Sequence, residues 1–207
     1  MARRALGGIR YLVDLKGRRR AAAALRRALP ELGGGEVARL VRESYARESR
    51  RQRSERRAGK ASAVELCRRL RFAGWESLHN TPRDPLFLFA PLGSVRVAER
   101  ALGLYHEGSR NAVVLPAAAG GETVEAALFR RGVACSAAPA RRALEDGLPA
   151  IWTLAIPEDR SSWAVYYLPP VPTRPDDTVV SLTERYLGVL EAMIREHPED
   201  WPWRHLG

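Results

Sequence analysis

The sequence has few of the residues that usually carry chemistry. Only 2 of its 207 residues are cysteines and 4 are histidines. Cys67 and Cys135 lie far apart without the spacing of a metal site, which favours reduced thiols in a cytosolic setting. The sequence has no Walker loop, dinucleotide glycine pattern, Cys/His metal cluster or G-x-S-x-G elbow. We therefore expect no cofactor and no bound metal.

Long apolar runs are also absent. No window of about 18 uninterrupted apolar residues occurs, so the sequence predicts no membrane-spanning helix. The basic N-terminus makes a poor secretion signal, because Arg10 and Asp14 interrupt its apolar run. Residues 2–15 instead predict a short amphipathic helix, which suits either a membrane surface or packing on the domain. We expect a cytoplasmic protein that can lie peripherally on the inner membrane.

Positive charge is abundant and unevenly placed. The formal net charge is +10, and residues 1–73 carry 21 Lys and Arg against 7 Asp and Glu. Such a basic segment favours an anionic partner, either lipid headgroups or nucleic acid. The Arg-rich stretch 47–60 has no interleaved aromatic residues, which weakens the single-stranded nucleic-acid interpretation. A solvated helix end explains this stretch equally simply, so its binding partner stays open.

The apolar pattern predicts a single α/β domain. A basic helical region at 1–73 precedes an α/β core at 74–207, and one continuous domain accommodates both. Helices alternate with buried-type strands, which indicates a mixed central sheet flanked by helices. Ser136 is a candidate N-cap, and residues 181–184 read as a capping box for the last helix. The predicted strands lie at 86–90, 111–116, 123–129, 132–135, 148–156 and 163–168.

The stretch Pro85–Arg100 has the form of an active-site frame. A short buried strand leads through the turn Pro91-Leu92-Gly93 into a helix that begins near Ser94. A helix N-terminus offers unpaired N–H groups and a partial positive charge. Neither the turn nor the first helical turn contains His, Cys, Asp or Glu. The frame therefore lacks an obvious acid, base or activated nucleophile.

Three segments of the sequence form a recognisable series. They are Arg26–Leu32 followed by GGGEVARLVRESY, then Ala138–Leu144 with Gly147 and Pro149, and finally Ile194–His205. The third is the most specific, because it contains a Pro-Glu-x-Trp-x-Trp-x-His pattern. In order and spacing the three resemble the bacterial lipid A biosynthesis acyltransferases, the lauroyl and myristoyl transferases of the lysophospholipid acyltransferase superfamily. The resemblance covers roughly residues 18–205 and implies an acyltransferase-like fold.

The same resemblance implies that the usual catalytic pair is missing. The family's signature is H-x-x-x-x-D/E at the strand-to-helix turn, where the His deprotonates a lipid hydroxyl and the carboxylate orients it. Aligning this turn puts Pro91 at the histidine and Arg96 at the carboxylate. Proline has no basic side chain, and arginine stays protonated. The family also has a membrane-spanning N-terminal helix and a longer chain, whose additional length falls between Tyr105 and Asn111.

A literal H-x-x-x-x-D pattern occurs elsewhere, at His79 and Asp84. It precedes the strand, whereas sites in such folds form beyond the carboxyl ends of the strands. Pro82 and Pro85 also disfavour a helix joining the two residues. The pair is the alternative catalytic site.

Three functions follow as hypotheses. The first is a non-catalytic pseudoenzyme linked to membrane lipid metabolism, which binds a lipid, an acyl group or a protein partner at Gly93, Ser94, Arg96 and Arg100. The second is an active acyltransferase that uses His79 and Asp84, with an acyl carrier protein or CoA thioester as donor. The third is a basic module that docks nucleic acid or protein.

Overall fold

The computed structural model describes residues 11–81, 84–106, 108–115, 117, 120–159 and 162–205, with the backbone alone at residue 205. The helices are α1 Leu15–Ala28, α2 Gly34–Ala58, α3 Ala63–Cys67, α4 Glu76–His79, α5 Val95–Tyr105, α6 Ala138–Asp146 and α7 Val179–Glu196. The strands are β1 Leu70–Ala73, β2 Leu86–Phe89, β3 Arg110–Val113, β4 Thr123–Leu128, β5 Arg131–Ser136, β6 Ala150–Pro157 and β7 Trp163–Tyr167.

Five strands form the central sheet in the order β1-β7-β6-β2-β3. Strands β3, β2 and β6 run parallel, β7 is antiparallel to β6, and β1 is parallel to β7. The predicted α/β class with a mixed sheet is thus confirmed. Strands β4 and β5 form a separate antiparallel hairpin. Because β1 runs opposite to β2, the carboxyl end of β1 lies at the amino-terminal edge of β2.

Successive side chains of each central strand point to opposite faces of the sheet, and each face carries its own hydrophobic core. Leu88 and Trp152 point into the larger core, which contains residues of α1, α2, α6 and α7 and of the β4–β5 hairpin. Phe87 and Ile151 point to the opposite face, which α3 and α5 cover. This period of two is the pattern of strands buried on both sides. The basic N-terminal helices therefore pack into the same core as the sheet.

The Arg-rich stretch is part of a long helix. The apolar spacing from Val37 predicts a helix that begins at Glu36. Helix α2 begins two residues earlier, at Gly34, and continues to Ala58. Its inward face follows the apolar spacing of Val37, Leu40 and Val41 and extends to Ser54. The 3.6-residue period therefore continues through the arginines and turns one side of the stretch toward the domain.

Three local predictions are corrected. The spacing of Val64, Cys67 and Leu70 predicts a helix over residues 63–70, but the helix ends at Cys67 because Leu70 already begins the edge strand β1. Ser136 is the last residue of β5 and caps no helix. The N-cap of α7 is Thr178, whose hydroxyl accepts a hydrogen bond from the Ser181 N–H at 3.1 Å. The capping box predicted at 181–184 was therefore placed three residues too late.

The predicted amphipathic helix at 2–15 falls mostly outside the described residues, which begin at 11. Residues 11–13 are helical and are followed by Asp14, the N-cap of α1. The Asp14 carboxylate accepts hydrogen bonds from the Gly17 N–H and the Tyr45 hydroxyl, both at 2.7 Å. Among the described helices, none combines the length and apolarity needed to cross a bilayer.

Candidate functional site

The turn after β2 is locked against strand β6. Gly93 has φ +75°, and a Cβ placed there would lie 2.1 Å from the carbonyl oxygen of Ala155. The next residue, Ser94, donates its backbone N–H to the same oxygen at 2.7 Å. Only glycine combines this left-handed conformation with so close a backbone approach. The turn is therefore a rigid, specified element of the fold.

The hydroxyl group of Ser94 is used to cap helix α5. Its Oγ accepts a hydrogen bond from the Val97 N–H at 3.2 Å, and the residue is 1% exposed. This is the geometry of an N-cap, in which the side chain replaces a missing helical acceptor. A buried hydroxyl committed to a cap has neither the access nor the base that a nucleophile requires.

The two positions aligned with the catalytic pair carry no acid–base group. Pro91 is partly buried in the turn, and the Arg96 side chain is exposed on the first turn of α5. An arginine side chain presents hydrogen-bond donors and no acceptor, so it cannot take a proton from a hydroxyl. At these two positions the turn therefore has a positively charged side chain but no group that can accept or donate a proton in catalysis.

Arg51 of helix α2 forms hydrogen bonds with the backbone of the turn. Its Nη1 donates to the carbonyl oxygen of Gly93 at 2.6 Å and to that of Pro91 at 3.2 Å. These charge-assisted hydrogen bonds satisfy two backbone carbonyl groups of the turn. Arg51 lies seventeen residues into α2, on the face that turns inward. Composition does not distinguish Arg51 from its neighbouring arginines, although the 3.6-residue period extended from Val37 selects this position.

Arg100 is likewise engaged within the fold. Its guanidinium donates to the carbonyl oxygens of Ala58 and Ala61, the latter at 2.9 Å. Ala58 is the last residue of α2, so Arg100 caps the carboxyl end of that helix, where cations are stabilised. Of the four predicted ligand-contacting residues, Gly93 and Ser94 are buried and Arg100 is a cap, and Arg96 alone is exposed.

The carboxyl-terminal segment is tied to the same face of α2. Arg47 lies 3.3 Å from Glu199 and 3.6 Å from Asp200, and Glu48 pairs with Arg204 at 2.5 Å. The Pro-Glu-x-Trp-x-Trp-x-His segment, the most specific part of the resemblance, therefore packs against helix α2, which also carries Arg51. Part of the Arg-rich stretch thus has acidic partners inside the protein.

Between α2 and this segment lies a cleft of about 240 Å³, counting the part open to solvent. Burial raises the pKa of the Asp200 carboxyl, and Arg47 opposes that rise by favouring the charged form. Because Arg51 also contacts the turn, the cleft adjoins the carboxyl edge of the parallel strands, where α/β folds place their sites. It is lined by Ser44, Arg47, Glu48, Arg51, Asp200, Trp201 and Pro202.

His79 and Asp84 lie at the opposite edge of the sheet. His79 ends the short helix α4 after β1, with its ring 5.8 Å from that of Trp75. Asp84 lies two residues before β2, whereas Gly93 follows the strand, so at least the length of the strand, at about 3.3 Å per residue, separates them. Electrostatically Asp84 acts on His106, whose pKa burial lowers and Asp84 raises. The fold therefore does not bring the alternative pair to the turn.

One group of metal-ligand residues occurs among the described side chains. The ligand atoms of His197, Glu199 and Asp200 lie within 4.8 Å of one another. However, the Arg47 guanidinium already pairs with both carboxylates. A cation would have to displace this arginine, so we assign no metal to the cluster.

No protein-family model matches the chain, and no curated protein matches it. The acyltransferase resemblance therefore stays a prediction that rests on the sequence segments named above.

Proposed function

We propose that this chain is an acyltransferase-like protein without the catalytic dyad, which binds anionic membrane lipid and acts in membrane lipid metabolism as a non-catalytic partner. The observation that carries the binding part is an exposed apolar segment at the start of the described chain. Leu12, Val13 and Leu15 are 67%, 74% and 57% exposed. Three large, exposed hydrophobic side chains thus lie within four consecutive residues.

Basic residues surround this apolar segment. Lys16, Arg19 and Arg20 are exposed on the first turns of α1. Burying each aliphatic side chain in a bilayer interface contributes about 1–2 kcal/mol, since each is already partly buried. Each basic residue near an anionic surface adds about 1 kcal/mol. Together these terms suffice for reversible, salt-sensitive binding to a surface, as for other amphipathic anchors.

Contacts with helix α2 hold this apolar segment against the domain. The Tyr45 hydroxyl holds the Asp14 carboxylate at 2.7 Å, and the rings of Tyr11 and Tyr45 meet edge to face at 5.8 Å. Arg18 lies over the Tyr11 ring at 4.7 Å. The apolar side chains therefore project from an anchored backbone, which lowers the entropic cost of ordering them on a membrane.

The non-catalytic part follows from the turn after β2. Pro91 and Arg96 stand at the positions aligned with the family's catalytic pair. The Ser94 hydroxyl is buried as a helix cap, and Arg51 donates hydrogen bonds to the carbonyl groups of the turn. General acid–base catalysis needs a group that can exchange a proton near neutral pH. Neither Pro91 nor Arg96 can do so.

Vesicle co-sedimentation tests the binding. We expect binding to anionic phosphatidylserine vesicles, weakened by salt, and little binding to phosphatidylcholine. Replacing Leu12, Val13 and Leu15 with alanine should remove most of it. The matched control replaces Val64 and Val180, which are 61% and 45% exposed on other helices, with alanine. Equal loss in both variants, or salt-dependent binding to nucleic acid without vesicle binding, would contradict the proposal.

A second assay tests the absence of catalysis. Pure protein is incubated with acyl-CoA or acyl carrier protein thioesters and lipid acceptors, and thioester consumption is followed. We expect no turnover above the rate without protein. Turnover that is abolished by His79→Ala or Asp84→Asn would instead establish the active-enzyme alternative.

A further inference from the structure

The side of helix α2 that faces away from the domain carries a row of four arginines. Arg42, Arg50 and Arg56 are exposed, and Arg53 is half-exposed. At 3.6 residues per turn these positions fall within about one third of the helix circumference and extend over about 21 Å of its length. Among the described residues, no carboxylate forms an ion pair with any of the four. We call these four residues the α2 basic face.

The charge of this face is not compensated within the helix. Opposite charges three or four residues apart stabilise a helix, and like charges at this spacing destabilise it. The first half of α2 uses the favourable arrangement, since Arg39 lies 3.3 Å from Glu43. No member of the basic face has an acidic residue at that spacing, and Arg50, Arg53 and Arg56 follow one another at intervals of three. The face therefore complements negative charge that comes from another molecule.

The face can contact a charged surface but cannot enter an apolar one. From residue 50 to residue 60 every exposed residue is charged, polar or glycine. The apolar side of the helix, with Val37, Leu40 and Val41, is buried in the core of the domain. Guanidinium groups arranged in this way bind phosphate groups through charge-assisted hydrogen bonds. Such binding weakens with salt, because the charges are exposed.

The apolar segment at the start of the described chain lies beside the same helix. Its neighbours Tyr11 and Asp14 both contact Tyr45 of α2. Arg56 follows Tyr45 by eleven residues, which is three helical turns, so both lie on one side of α2 about 17 Å apart along its axis. Arg42 precedes Tyr45 by one turn. A lipid bilayer offers anionic headgroups and an apolar phase together, whereas nucleic acid offers phosphates without an apolar phase.

We propose that the α2 basic face is a second membrane contact, which binds the phosphate groups of anionic lipids without entering the bilayer. The apolar segment supplies affinity for the bilayer interface, and the basic face makes binding depend on the surface density of anionic headgroups. Each basic side chain near such a surface contributes about fivefold in affinity. The inference rests on the membrane binding proposed above, but different residues test the two.

Vesicle co-sedimentation of full-length variants is the first test. The basic-face variant replaces Arg50, Arg53 and Arg56 with glutamine, which forms helix about as well as arginine. On phosphatidylcholine vesicles rich in phosphatidylserine, we expect it to bind at least about tenfold more weakly than the unmodified protein. Its binding should also rise less steeply with the phosphatidylserine fraction. Thermal melting should show no loss of stability, because like charges have been removed.

The matched control changes the net charge by the same amount elsewhere. Arg110, Arg142 and Arg174 are exposed on β3, on α6 and in the loop before α7, and all three are replaced with glutamine. This variant should bind the same vesicles as the unmodified protein does. The comparison separates a defined contact on α2 from a general effect of net charge.

The second test uses the unmodified protein and locates the contact directly. Phenylglyoxal, at a dose that modifies about one arginine per molecule, labels accessible guanidinium groups, and mass spectrometry identifies the labelled sites. Phosphatidylserine vesicles should protect Arg53 and Arg56 and leave Arg142 and Arg174 reactive. Phosphatidylcholine vesicles should protect none of them.

The outcomes separate the inference from the proposed function. Equal loss of binding in the basic-face variant and its control, or no protection of Arg53 and Arg56 in vesicle-bound protein, overturns the inference. Full binding by the basic-face variant also overturns it, and the membrane function stands if the alanine variant of the apolar segment loses binding. If the unmodified protein binds neither vesicle, the membrane function is refuted and the inference with it. Tighter binding to double-stranded DNA than to vesicles, abolished in the basic-face variant, assigns the face to nucleic acid and overturns the lipid partner.

Discussion

Replacing Gly93 with alanine tests whether the turn after β2 is as rigidly specified as its geometry indicates. Two costs add. Alanine in the left-handed region costs about 1–2 kcal/mol. The new Cβ would also lie 2.1 Å from the Ala155 carbonyl oxygen, a backbone atom that can move only with strand β6. Overpacking of this kind costs about 1–3 kcal/mol. We expect a total loss of about 3 kcal/mol in the free energy of unfolding.

The matched control is Gly120→Ala. Gly120 has φ +77°, nearly the value at Gly93, but among the described residues no atom lies within 4 Å of its Cβ position. It therefore reports the backbone cost alone, about 1–2 kcal/mol. Urea denaturation of both variants measures the difference, and thermal melts should show losses of roughly 2–4 °C per kcal/mol for a chain of this size. If Gly93→Ala is no less stable than Gly120→Ala, the close approach to β6 is not a constraint and the reasoning fails.

Three further predictions concern the same region and the core. Ser94→Ala should lower the free energy of unfolding by about 1 kcal/mol through loss of the α5 cap, and an unchanged urea midpoint would refute the cap. Arg51→Met should lower the free energy of unfolding by about 2 kcal/mol, because two carbonyl groups lose a charged donor. Arg56→Met, on the exposed side of α2, should leave it almost unchanged. Equal urea midpoints for the two variants would contradict this expectation. Burial raises the pKa of the Cys135 thiol to about 11, so the thiol stays protonated at pH 8. Iodoacetamide should therefore label the half-exposed Cys67 but not native Cys135, as mass spectrometry would show, and both only in urea.

Elements with a clear apolar period were the ones that the sequence could locate. The strands predicted at 86–90 and 148–156 match the observed strands within two residues. The polar turn after residue 156 predicts that this strand pairs with 163–168 as a hairpin, which β6 and β7 form. Strand β1 was missed because Leu70, its first residue, continues the apolar spacing of the preceding helix. Its four residues, Leu70–Ala73, are also too few to show a clear alternation of apolar and polar side chains. A strand this short is defined by its pairing with β7, a contact that is distant in sequence.

The candidate site shows a similar division. Pro91, Gly93 and Ser94 could be placed in one turn from local sequence alone, because strand, turn and cap signals follow one another there. Arg51, Trp201 and Asp200 could not be grouped from the sequence, since about 150 residues separate Arg51 from the other two. Within an Arg-rich stretch, composition cannot distinguish an arginine that faces solvent from one that faces the turn. Only the phase of the helix, set by the packing of α2 on the core, makes that distinction.

The sequence by itself determined the α/β class, the strand-turn-helix frame at Pro85–Arg100, the absence of a proton-transfer group in that turn, and the concentration of positive charge in residues 1–73. These properties depend on residue type and local spacing. The tertiary structure decided which arginines are used internally, that His79 lies at the opposite edge of the sheet from Gly93, and that Arg51, Asp200 and Trp201 line one cleft. Those properties depend on strand order and helix packing, which bring together residues that are far apart in the chain.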